Sequence, residues 1–68
     1  MAMITDDELR KALQWYVGRN GRKPTGRSTF ETWVIGRFHS YPKAAREITE
    51  RMVELELVKV RKGIVEIL

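Results

Sequence analysis

The chain contains no cysteine, which excludes a disulfide framework, thiolate metal ligands and a cysteine nucleophile together. Packing and hydrogen bonding must therefore carry its stability. Histidine occurs once, as His39, so there is no histidine cluster from which to build a transition-metal site. No apolar run approaches the ~18 residues of a membrane span. Residues 1–9 run straight into Asp6, Asp7 and Glu8, without the basic, apolar and small-residue succession of a signal peptide. The expectation is a cytoplasmic protein with no membrane partner. At 68 residues the chain has room for one domain, residues 1–68, built around one small core. Such a core leaves little volume for a substrate pocket, so the reading is non-enzymatic, with no cofactor and no small-molecule substrate.

What is present is an ordinary globular share of apolar residues, 43 %, and a positive excess of 13 Lys and Arg over 9 Asp and Glu. The excess is uneven. Residues 18–27 hold Arg19, Arg22, Lys23 and Arg27 with no acid, a net +4, and residues 58–68 set Lys59, Arg61 and Lys62 against Glu66 for +2. The remaining segments sum to −2, so the whole excess sits in those two stretches.

Thr5 followed three residues later by Glu8 has capping-box spacing, and Leu9, Ala12, Leu13, Tyr16 and Val17 recur at helical steps. The pattern predicts a first helix over Asp6–Val17, stopped by Gly18 and Gly21. Trp15 falls at the edge of that stripe and reads as partly buried. Residues 18–26 have turn chemistry throughout. Ser28 with Glu31 predicts an N-cap for a second helix over Thr29–Phe38, with Phe30, Trp33, Val34 and Phe38 on its core face. Gly36 within it suggests close packing against another helix. Ser40 as N-cap and Pro42 in the first turn start a third helix that ends near Glu56, with Ala44, Ala45, Ile48, Met52 and Leu55 inward. Leu57–Val60 and Ile64–Leu68 read as strands joined by Arg61-Lys62-Gly63. The fold class is α+β, mostly α: a three-helix core followed by a C-terminal two-stranded β-hairpin.

This order of elements resembles the winged helix-turn-helix DNA-binding family. The likeness is carried by the short Phe38-His39-Ser40-Tyr41 connection and by the run ITERMVELELVKVRKGIVEIL, in which a helix leads through a strand, a basic turn and a return strand. The family often has a short strand between its first two helices, for which residues 18–26 offer no good candidate. Leu57 stands where a glycine often ends the third helix. The resemblance implies a third helix in the major groove and a wing on the phosphate backbone or minor groove. By position, Ser40, Tyr41, Lys43, Arg46 and Glu47 would face the groove, with Arg46 suited to guanine and Lys43 to phosphate. Arg61 and Lys62 would contact the backbone from the wing tip, and Arg19, Arg22, Lys23 and Arg27 would add contacts if their loop shares that side. The implied function is a DNA-binding transcription regulator or accessory factor with backbone-dominated binding. A single wing domain reads few base pairs, so a homodimer or a larger protein partner is also implied.

The other reading is a protein-interaction or assembly module that uses Trp15, Tyr41 and the hairpin edge. Arg46 with Glu50 and Arg51 with Glu47 have the spacing of ordinary helix-surface ion pairs, which leaves the third helix net negative. Gly21 to Ser28 has P-loop spacing with Arg27 in the lysine position, but a helix precedes it where that motif needs a strand. Free N–H groups near Arg27 and Ser28 remain as a place for one phosphate. His39 reads as a turn residue.

Overall fold

The computed structural model describes residues 4–68; residues 1–3, where the N-terminal reading above begins, lie outside it. The expected class holds: three helices precede a C-terminal antiparallel hairpin in a winged-helix-like layout. Helix α1 spans Asp6–Asn20. Its capping box forms as the spacing requires, Thr5 Oγ1 accepting from Glu8 N at 3.2 Å and Thr5 N donating to Glu8 Oε2 at 3.4 Å. The helix runs past Gly18, which raises the cost of a helical residue without forbidding it. It stops at Gly21, where φ is 73° and the N–H reaches back to Val17 O at 2.8 Å.

A two-residue strand, β1, follows at Thr25–Gly26, correcting the expectation that this stretch holds none. Helix α2 then spans Arg27–Phe38 with Gly26, not Ser28, as N-cap. The reason is a tertiary bond: Arg27 N–H donates to Gly63 O at 2.8 Å, which starts the helix early. Glu31 accordingly turns to Arg27 Nε at 2.8 Å and closes no capping box with Ser28. His39 ends the helix in the left-handed region, φ 52°, the turn role expected of it.

Helix α3 spans Pro42–Glu54, with Tyr41 in place of Ser40 as N-cap and Pro42 in the first turn as expected. It ends in a Schellman motif two residues before Glu56: Leu57 N–H donates to Met52 O at 2.9 Å and Glu56 N–H to Val53 O at 3.0 Å. Glu56, at φ 59°, occupies the left-handed position that glycine usually fills, one residue before the Leu57 singled out above. Strands β2, Val58–Arg61, and β3, Ile64–Ile67, pair with β1 in the order β1-β3-β2, all antiparallel. Arg61 pairs with Ile64, so the turn is the two residues Lys62 and Gly63 and not three. Both have positive φ, 51° and 74°, the type I′ pattern that matches strand twist.

Leu9, Leu13, Tyr16, Phe30, Val34, Ala45, Met52, Val58 and Val65 form one buried cluster to which all three helices and the hairpin contribute. Tyr16, Phe30 and Trp33 pack ring against ring at 4.8–5.7 Å between centroids. Thr49, absent from the inward set read from the sequence, is fully buried, and its hydroxyl donates to Ala45 O at 2.9 Å.

Gly36 is exposed and a methyl there would meet nothing within 4 Å, so no helix packs against it. Gly36→Ala should therefore stabilise the protein by about 1 kcal/mol. At this chain length that is a rise of about 4–8 °C in melting temperature by circular dichroism. No rise would show that the site is crowded after all.

Candidate nucleic-acid interface

The two positive stretches are separate in sequence, and the sheet decides which of their cations meet. Gly26 pairs with Ile64 and Arg27 N–H bonds Gly63 O, so the start of α2 is fastened to the wing turn that carries Arg61 and Lys62. On its other side Arg27 lines an open cleft between α2 and α3 together with Ser28, Glu31 and Thr32 from one wall and Arg46 and Glu50 from the other. Arg27 thus belongs both to the cleft that Arg46 lines and to the segment bonded to the wing turn. Its charge is partly offset by Glu31, whereas no ion pair engages Lys43, Arg46, Lys59, Arg61 or Lys62 among the described residues. Lys59 shares the outward side of β2 with Arg61, a placement that period-two alternation carries in the sequence.

The first turn of α3 adds Tyr41, 82 % exposed, and the exposed Lys43. Ser40 does not join them. Its Oγ is enclosed and has no hydrogen-bond partner among the described residues, so the hydroxyl faces away from solvent. Beyond the first turn, Glu47, Glu50 and Glu54 are exposed at steps of three and four from Lys43, an acidic continuation of the same helix face. An anion approaching α3 is drawn to its N-terminal end and repelled from its last two turns.

The remaining cations of residues 18–27 lie elsewhere. Arg22 Nη1 donates to Leu68 O at 2.8 Å, at the opposite end of β3 from the wing turn, ~13 Å away along the strand. Arg19 places its guanidinium 5.0 Å from the centroid of the Trp15 ring on α1. Trp15 is 50 % exposed, correcting its reading as partly buried. Lys23 is exposed just before β1. The N–H of Arg27, one of those considered for a phosphate, is already taken by Gly63.

Helix-surface ion pairs also differ from those expected. Arg51 ignores Glu47 and instead makes a two-pronged contact with Asp6 of α1, Nε to Oδ1 at 3.2 Å and Nη2 to Oδ2 at 3.0 Å, while Nη1 meets Glu54 at 3.0 Å. The hydrogen bond to Asp6, then that to Glu54, holds the Arg51 guanidinium above its ordinary pKa. Arg51 is a tie between helices, and Arg46, at the cleft, makes no ion pair with Glu50 or any other acid among the described residues.

These features define a small, mostly helical α+β fold of winged-helix-like layout, with cations at the start of its third helix and on its hairpin that no ion pair engages among the described residues. No protein-family model matches the chain, and neither curated proteins nor solved structures give a match. No helix among the described residues is long and apolar enough to cross a membrane.

Proposed function

We infer that this protein binds duplex DNA through the phosphate backbone, as a non-enzymatic accessory factor or regulator of transcription. The observation that supports this reading is the bond from Arg27 N–H to Gly63 O, which fastens the start of α2, one wall of the cleft that Arg27 and Arg46 line, to the wing turn that carries Arg61 and Lys62. Phosphates carry a dense, sequence-independent negative charge, which these cations neutralise with release of counterions, Arg27 less than the others because Glu31 already offsets it. Lys43 and the wing contact phosphate. Arg46 reaches either phosphate or the paired acceptors of guanine, and the Tyr41 hydroxyl adds a hydrogen bond at the helix start. Glu47, Glu50 and Glu54 keep the rest of α3 off the backbone, so contact is confined to one end of the helix and discrimination between sequences is weak.

Lys62→Asn tests this reading without disturbing the fold. Asparagine is favoured over lysine at a positive-φ turn position followed by glycine, so the hairpin should be as stable as before or slightly more so. Binding to a fluorescent duplex of about 20 base pairs, titrated against salt, should lose about one unit of log–log salt slope and several-fold in affinity. A protein that binds no duplex at about 20 mM salt, or a variant with an unchanged slope, would defeat the assignment of the wing.

A further inference from the structure

Asp7, Lys11, Trp15 and Arg19 follow one another at four-residue steps and form a single exposed ridge along α1. The core uses the other side of this helix, through Leu9, Ala12, Leu13 and Tyr16. We propose that this ridge pairs with the same ridge of a second copy of the chain, antiparallel and about a two-fold axis.

The argument is the order of the charges. Turned end for end, the ridge sets Asp7 against Arg19 of the second copy and Lys11 against Trp15 of the second copy, and the two-fold repeats both contacts. Residue i meets residue j and j meets i, the condition for an isologous interface. A uniformly acidic partner would satisfy Lys11 and Arg19 but meet Asp7 with like charge, so both signs on one ridge favour self-association. Asp7 is available, since its only ion pair among the described residues is a loose 3.8 Å contact with Arg10 and its side chain is 83 % exposed. Arg19 is already ordered by its stacking on Trp15, which reduces the entropy lost on docking. The indole then lies between its own Arg19 and the ammonium of the second copy's Lys11, a cation–π arrangement at a residue type that commonly anchors interfaces. Gly18 is exposed beside this ridge, and even a methyl group added there would meet nothing within 4 Å, which leaves room for the approach. Two helix faces of this length bury less than the ~1,200 Å² of a standard interface, so the pairing is weak and salt-sensitive.

The pairing does not rest on DNA binding and is tested without nucleic acid, by sedimentation equilibrium of the full chain at concentrations up to about 1 mM, as a weak interface requires. Mass should rise with concentration from 8.0 kDa toward twice that value. Asp7→Lys and Arg19→Glu should each weaken association at least about tenfold, because each sets like charges together twice across the two-fold. An equimolar mixture of these two variants should associate again, since both contacts between positions 7 and 19 are then of opposite charge. Trp15→Ala should weaken association without any charge change, and thermal unfolding of each variant checks that the helix remains folded. A fixed mass of 8.0 kDa at every concentration overturns the proposal. So does association that the single reversals leave unchanged, or a mixture that fails to recover it. A protein that stays monomeric yet binds a poly-glutamate peptide through Trp15 overturns it in favour of an acidic partner.

Discussion

Phe30→Ala should leave most of the protein unfolded at room temperature. Phe30 is fully buried where α2 faces both α1 and the sheet, with Tyr16 set edge-on at 5.7 Å and Trp33 at 5.4 Å between ring centroids. Removing a buried phenyl ring forfeits its transfer free energy and leaves a cavity that neighbours fill incompletely, a loss of about 3–5 kcal/mol. A chain of this length has about 3–10 kcal/mol of total stability by the usual per-residue scale, so the loss is comparable to the whole. Small domains also have few alternative packings: the cavity would open against Tyr16 and Trp33, which already belong to or pack against the one cluster. Thermal melting by circular dichroism should show a broad, early transition or none. Phe30→Leu, which keeps most of the volume, should remain folded with a loss nearer to about 1–2 kcal/mol. A melting temperature lowered by only a few degrees in the alanine variant would mean that Phe30 does not sit in a close-packed core.

That core is also the part of the molecule most legible in the sequence. Apolar residues at steps of three and four mark the inner faces of all three helices, and alternation in VKV and IVEI marks the hairpin, because these patterns are local. The errors fall where a distant partner decides. Thr25–Gly26 is too short to show a period, and it becomes a strand because β3, some 40 residues later, pairs with it. Ser28 has the chemistry of an N-cap, but the Gly63 carbonyl captures the Arg27 N–H and begins the helix two residues earlier than expected. Arg51 has Glu47 within reach on its own helix and takes Asp6, 45 residues away in sequence, because α1 presents its carboxylate in the geometry a guanidinium matches with two bonds. Thr49 hides its polarity by bonding its own helix, which no hydropathy pattern reveals. The candidate interface follows the same division. Counting charges located the cations of residues 18–27, and the topology then dispersed them: Arg27 to the wing, Arg22 to the far end of β3, Arg19 to Trp15.

That dispersal leads to the second large effect. Neutralising Lys43, Arg46 and Lys62 together to glutamine should weaken duplex binding by about two orders of magnitude at low salt and lower the log–log salt slope by about three. Neutralising Arg19, Arg22 and Lys23 in the same way removes an identical three charges from the net +4, so the two triples have equal overall charge. The second set is bonded to Leu68, stacked on Trp15 or exposed before β1, and none of it lines the α2–α3 cleft. Its removal should change affinity by less than about threefold, the residue of long-range attraction after screening by salt over a Debye length of about 10 Å. Both titrations belong at micromolar protein or below, beneath the range of any pairing through α1. None of the six side chains is in the core, so melting temperatures should stay close to that of the unaltered protein and separate lost binding from lost folding. Equal losses from the two triples would mean that total charge alone attracts the duplex and that the start of α3 and the wing form no binding surface. A hundredfold loss from the first against a small loss from the second would locate the phosphate contacts at Lys43, Arg46 and Lys62, cations that no ion pair engages among the described residues.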